Sequence, residues 1–142
     1  MRTVRQLLAE KPAEVFAVAP EAPVVEAIRL MADKSVGALL VLRGDALSGI
    51  VSERDYARKV VLQGRSSADT PVSAIMTAQV LTVGPDTSVP ACMRLVAGHR
   101  MRRLPVVEAG RVVGVVSIGD LVKAVMADQQ EQLEQLQRYI TG

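Results

Sequence analysis

The sequence predicts an α/β (α+β) protein made of two βαββα repeats packed sheet to sheet about a pseudo-twofold axis. Three observations carry this expectation. The stretch Gly49-Ile50-Val51-Ser52-Glu53-Arg54-Asp55 returns as Gly114-Val115-Val116-Ser117-Ile118-Gly119-Asp120, 65 positions later. The neighbouring chain keeps that register without a gap from about Val15 to Asp55: Phe16-Ala17-Val18 faces Leu81-Thr82-Val83, Pro20 faces Pro85, Ile28 faces Met93 and Val41 faces Val106. Short apolar runs of strand type alternate with helical stripes, punctuated by Gly, Pro and Asp. Repetition at a fixed spacing governs a fold, and a half of about 60 residues buries only a modest part of its surface alone.

In order along the chain, Thr3 can cap a short helix to about Leu8, which Lys11-Pro12-Ala13 ends. Residues 15–18 read as a strand. Pro20 and Pro23 lead into a helix over 24–34, whose Val24, Ala27, Ile28, Leu30 and Met31 fall mainly on one face. Residues 38–42 are apolar throughout, which suits a strand covered on both faces. Arg43-Gly44-Asp45 is turn chemistry, residues 47–51 return as a hairpin partner, and a helix is expected from Glu53 to about Gln63. The polar connector 65–69 separates the repeats. Thr70 as cap and Pro71 at the first helical position predict a short helix to Met76. Residues 80–83 read as a strand, Thr87 as the cap of a helix to His99, and 104–107 with 112–116 as a second hairpin around Ala109-Gly110. Ser117 opens the last helix, with Leu121, Val122, Val125 and Met126 as its core stripe. Gln129, Leu133, Leu136 and Ile140 then recur at steps of three and four, which reads either as a solvated tail with one apolar stripe or as a face that packs on another subunit. The organisation is a first repeat with its N-terminal helix (1–64), the connector (65–69), a second repeat (70–127) and a helical extension (128–142). Leu7-Leu8 matches Ile75-Met76 only at a shift of 68, so the leading segments differ by three residues from the main register.

Composition narrows the function classes. Apolar residues make up 49% of the chain, with no Trp, so Val, Leu, Ile, Ala and Met build the core. A net charge of +2 gives no bulk signal for nucleic acid. Cys92 is the single cysteine and His99 the single histidine, which excludes a disulfide framework and gives no metal-ligand spacing. No signal-peptide core follows Met1-Arg2-Thr3-Val4-Arg5, and no apolar run reaches the roughly 18 residues of a membrane span. A soluble cytoplasmic protein in a reducing compartment is expected.

The repeated motif places a hydroxyl residue at a strand end and a carboxylate three residues on, where a helix begins. Taken singly, Ser-x-x-Asp before an apolar run is a helix-capping signature. Taken twice in one register, it also suggests two related sites. Helix starts carry unpaired N–H groups that favour anions, and a carboxylate can accept both hydrogen bonds of a sugar diol.

These motifs, with Arg102-Arg103-Leu104-Pro105-Val106-Val107, resemble a tandem cystathionine-β-synthase (CBS) domain pair, or Bateman module, over about residues 3 to 127. Leu40 stands where the second half has Pro105, and Gly37 where it has Arg102. The resemblance implies a regulatory module that is not an enzyme. It would bind adenosine-containing ligands, AMP first and also ADP, ATP, NAD or S-adenosylmethionine, in clefts between the two repeats. It would signal through conformational or oligomeric change to an unknown effector protein. On this pattern Ser117, Gly119 and Asp120 face Val15, Phe16, Val36, Gly37 and Ala38. Ser52, Arg54 and Asp55 face Val80, Leu81, Met101, Arg102, Arg103 and Pro105. Apolar strands offer a slot for a purine, and Arg54, Arg102 and Arg103 suit phosphate. The Asp120 site lacks matching arginines, so phosphorylated ligand is expected at Asp55, with the Asp120 site weaker or empty. No cofactor is required, no membrane partner is implied, and the family's habit of association makes a homodimer the expected state.

Other classes compete. An enzyme would need a nucleophile–base pair, a Walker loop or a Gly-x-Gly-x-x-Gly fingerprint, none of which the sequence contains. The alternative is a structural dimerisation module without ligand-dependent regulation, in which the motif acids only cap helices.

Overall fold

The computed structural model describes residues 2–11, 14–99 and 101–141. The elements run α1 (Val4–Ala9), β1 (Ala17–Val18), α2 (Val24–Lys34), β2 (Ala38–Arg43), β3 (Ala46–Ser52), α3 (Glu53–Tyr56), a π turn (Ala57–Val61), a 3-10 turn (Val72–Ala74), α4 (Val89–His99), β4 (Arg103–Glu108), β5 (Arg111–Ser117) and α5 (Ile118–Thr141). The chain divides into two compact units: residues 1–14, 81–108 and 113–142 form one, and residues 15–80 with 109–112 the other. The leading segment of each repeat in sequence thus belongs to the unit built mainly from the other repeat.

In the unit around residues 15–80, β1, β2 and β3 form one sheet. β1 lies parallel to β2, with Ala17 opposite Leu40 and Val18 opposite Val41. β2 and β3 form an antiparallel hairpin whose register shifts between Val41 and Leu42. Val18, Val24, Ala27, Met31, Leu39, Val41, Val51 and Val60 share a buried core with Val72 and Ile75 from the far end of the segment. The other unit repeats this with β4, β5, α4 and α5. Its core of Val83, Val89, Cys92, Val96, Leu104, Val106, Val116, Leu121 and Ala124 is completed by Val4 and Leu7 of α1.

The same backbone bonds hold both leading segments. Val72 donates to the Ala22 carbonyl and Ser73 to Pro20, while Val24 donates to Thr70. In the other unit Val4 donates to Thr87 and Arg5 to Pro85, while Val89 donates to Arg2. These pairs relate by 68 positions on one side and 65 on the other, which explains the two registers in the sequence.

Several local expectations are corrected. The strand expected over 80–83 reduces to a single parallel bridge, Val83 with Val106. In the first repeat the Leu40 N–H donates to the Phe16 carbonyl; Pro105 occupies the equivalent place and has no N–H to give. The strand expected over 15–18 is confined to Ala17–Val18. The helix expected from Glu53 to Gln63 is α-helical only to Tyr56 and then widens, with Leu62 donating to Ala57 five residues back. The helix expected over 70–76 is one 3-10 turn, because Thr77 exchanges both backbone bonds with Ile50 and draws the segment into an extended path. Ser88, not Thr87, caps α4 through the Ala91 N–H, and the Thr87 hydroxyl accepts instead from Gly84.

The motif glycines are seats for the leading segments. A Cβ on Gly49 would lie 2.6 Å from the Thr77 carbonyl oxygen and 3.0 Å from Met76 Sδ. A Cβ on Gly114 would lie 2.7 Å from Leu8 Cδ2. Met76 and Leu8 are the pair matched at the 68-residue shift. At the β4–β5 turn, Ala109 and Gly110 both have positive φ, 53° and 78°, as a tight two-residue hairpin of matching twist requires.

Candidate functional site

Both motifs fold into the same strand-to-helix corner. At the first, the Asp55 Oδ2 accepts from the Ser52 N–H and the Ser52 hydroxyl, each at 3.0 Å, and the Asp55 N–H donates to Ser52 Oγ at 3.1 Å. At the second, Asp120 Oδ2 accepts from the Ser117 N–H at 2.8 Å, and the Asp120 N–H donates to Ser117 Oγ at 3.1 Å. These are reciprocal capping boxes, so the simpler reading of the motif is realised in both copies. The first helical N–H of each corner is also tied down: Glu53 donates to the Gly37 carbonyl at 3.0 Å, and Ile118 to the Arg102 carbonyl at 2.9 Å. Gly37 and Arg102 therefore sit beside the motif of their own repeat.

Each carboxylate also meets a lysine, from positions unrelated by the repeat. Lys59, one turn along from Asp55, lies 3.2 Å from its Oδ1 and donates to the Ile75 carbonyl at 2.9 Å. Lys11, from the segment after α1, donates to Asp120 Oδ2 at 2.7 Å and to the Val115 carbonyl at 2.8 Å. Val115 is the equivalent of Ile50, whose carbonyl accepts from the Thr77 N–H. The Lys11 ammonium thus fills an acceptor that backbone fills in the other unit. Partial burial pushes the Asp120 carboxyl up, but the Lys11 and Ser117 hydrogen bonds and the Lys11 charge outweigh it and hold the pKa below the ordinary carboxylate value. Asp120 Oδ1 accepts no hydrogen bond among the described residues.

Beside Asp120 lies a cleft of about 330 Å³, lined by Arg2, Leu7, Glu10, Lys11, Lys123, Ala124 and Ala127. Arg2 is engaged by Asp128 at 2.9 Å and Glu10 at 3.5 Å. Sequence reasoning missed these cations, since the register supplies arginines only at Arg54, Arg102 and Arg103. Lys59 carried one signal, its i,i+4 spacing from Asp55; Lys11 and Lys123 carried none.

The remaining expected site residues divide between the units. Val15, Phe16, Val36, Gly37, Ala38, Ser52, Arg54, Asp55 and Val80 belong to one; Leu81, Met101, Arg102, Arg103, Pro105, Ser117, Gly119 and Asp120 belong to the other. Arg54, Arg102, Arg103, Gly37 and Gly119 are exposed, Pro105 is buried, and the other apolar residues are half-buried. Lys34 Nζ sits 5.5 Å from the Phe16 ring centroid. No cluster of His, Cys, Asp and Glu able to hold a metal occurs among the described residues. Burial pushes the Cys92 thiol up.

The family described as CBS domain matches residues 4–62 and again residues 72–127. The chain belongs to the CBS domain family. As a CBS-domain protein it is 44% identical over 124 residues to the CBS domain-containing protein CBSX3, mitochondrial, of Arabidopsis thaliana; the match covers 84% of this chain and 60% of that one. It is 35% identical to the CBS domain-containing protein YhcV of Bacillus subtilis, across 82% of each. Among solved structures, a CBS-domain protein from Burkholderia ambifaria superposes with a TM-score of 0.79 at 54% identity, over 90% of this chain and 96% of the other. CBSX2 in complex with AMP superposes with a TM-score of 0.76 at 26% identity, over 91% of this chain and 99% of the other.

Proposed function

We propose that this CBS pair is a cytoplasmic regulatory module that senses an adenosine-containing ligand, AMP in the first place, and reports it through conformational or oligomeric change. The observation that carries this reading is the twofold corner: Ser52 with Asp55 and Ser117 with Asp120 each hold a carboxylate rigidly in a capping box while lone pairs remain for a ribose diol. The AMP complex of CBSX2, a protein of the same fold, supports adenylate as the ligand class. In this reading Asp55 and Asp120 take the ribose hydroxyls, and Ser52 and Ser117 position them. Half-buried Val15, Phe16, Val36, Ala38, Val80, Leu81 and Met101 provide apolar walls, and Gly37, Gly119 and Pro105 shape the slots. Arg54, Arg102 and Arg103 supply charge for phosphate. The cations beside Asp120 narrow the inequality expected from the register, so both motifs are candidates for phosphorylated ligand.

Thermal melting of the full chain with AMP, ADP, ATP, NAD and S-adenosylmethionine tests this. A ligand at a hundredfold excess over its dissociation constant stabilises by about 2.7 kcal/mol. The melting temperature of wild type is expected to rise with AMP. Asp55→Asn and Asp120→Asn keep a polar cap and are each expected to reduce the rise. An unchanged rise in both variants, or no rise with any ligand, sinks the proposal.

A further inference from the structure

α5 runs unbroken from Ile118 to Thr141, yet only its first turns serve the core: Leu121 and Ala124 are buried and Val125 packs against them. Val122 and Met126, expected in the core stripe, are instead exposed. They extend the outer stripe, which now runs Val122, Met126, Gln129, Leu133, Leu136, Ile140. The steps are four, three, four, three and four. Met126, Leu133 and Ile140 recur every seventh residue, as do Val122, Gln129 and Leu136. A strict seven-residue repeat is the seam of paired helices, whereas a stripe lying on a globular core drifts with the 3.6 period. The exposures are large: 63% for Met126, 54% for Leu133, 57% for Leu136 and 79% for Ile140.

We propose that this seam docks a second copy of the same chain, through parallel and in-register pairing of two α5 helices. Gln129 selects the occupant and the orientation. In a parallel pair each seam residue meets its own counterpart, so the Gln129 amides can hydrogen-bond to each other. In an antiparallel pair the two kinds of seam position face one another, which sets Gln129 against Met126 or Leu133 and strands a polar amide in hydrocarbon. Of the positions flanking the seam only Lys123 is charged, while Val125, Gln130, Gln132, Gln137 and Tyr139 are not, so no row of like charges opposes the meeting of two copies. A membrane surface fits less well. Beyond Ala127 the helix carries Asp128, Glu131 and Glu134 against Arg138 alone, the wrong sign for anionic lipid. The proposal stands apart from the nucleotide reading, since no residue of the seam belongs to the motifs.

The test uses the full chain. Wild type sediments as a dimer at micromolar concentration, and Leu133→Glu with Leu136→Glu weakens association by more than about tenfold while leaving the melting temperature of the monomer's core near wild type. Under mild oxidation Leu136→Cys forms a covalent dimer and the outward Glu134→Cys does not; Cys92 is buried and does not compete. Gln129→Leu still dimerises but loses orientation, so that Val122→Cys and Ile140→Cys cross-link to each other only in that background. Monomeric wild type, a dimer indifferent to the double Glu variant, or cross-linking of Val122→Cys to Ile140→Cys with Gln129 intact overturns the proposal.

Discussion

Lys11 and Asp120 carry the clearest electrostatic commitment of any single pair of side chains. Lys11 reaches the acid at 2.7 Å and neutralises it while also satisfying the Val115 carbonyl. The folded-state pKa of Asp120 is depressed, so the unfolded chain binds this proton more readily. The stabilisation is therefore complete above the unfolded value of about 3.9 and is lost as pH falls through the folded value. Urea midpoints measured between about pH 5 and pH 3 should fall more steeply for wild type than for Asp120→Asn, with Lys11→Met shallower than wild type as well. Equal slopes in all three proteins would show that the pair contributes nothing to acid stability. Asp120 was legible in the sequence because it repeats Asp55; Lys11 was not, because its work is done in the other repeat by a backbone N–H.

At the scale of elements, the two corners owe their shape to what sits on Gly49 and Gly114. Gly49 faces the backbone carbonyl of Thr77, which accepts from the Ile50 N–H while the Thr77 N–H donates back to the Ile50 carbonyl. Gly114 faces the end of the Leu8 side chain, which can turn aside. Overpacking costs about 1–3 kcal/mol where neighbours resist. Gly49→Ala should therefore fall near the top of that range and Gly114→Ala near the bottom, as read from denaturant midpoints. Leu8→Ala should recover part of the loss in Gly114→Ala and none in Gly49→Ala. If the two glycine variants lose equal stability, the backbone contact at Thr77 is not what makes the first corner rigid. The hairpins, α2, α4 and the last helix follow from apolar period and turn residues alone. The strand expected over 80–83 is reduced to one bridge because Pro105 has no N–H to make the bond that Leu40 makes to Phe16. The π turn after Tyr56 had no such signal, since its residues suit an ordinary helix.

At the scale of the whole molecule, the duplication was plain from the register, and the family with it. Which segment completes which core was not, although the shift of 68 between Leu8 and Met76 held the clue. The core around Val18, Met31 and Val51 is closed by Val72 and Ile75, which lie beyond the connector in sequence. The core around Val83, Leu104 and Leu121 is closed by Val4 and Leu7 from the opposite end of the chain. A fragment cut at the connector therefore leaves a core open, whereas one cut after Val80 does not. Residues 15–80 contain every buried member of their cluster and should show a cooperative thermal transition by circular dichroism, below that of the full chain because a piece this small buries a limited share of its surface. Residues 1–64 carry α1 without its core and lack Val72 and Ile75, so they should remain largely unfolded. The reverse result, with 1–64 folding cooperatively and 15–80 failing, would mean that each leading segment belongs with its own repeat and does not complete the core of the other.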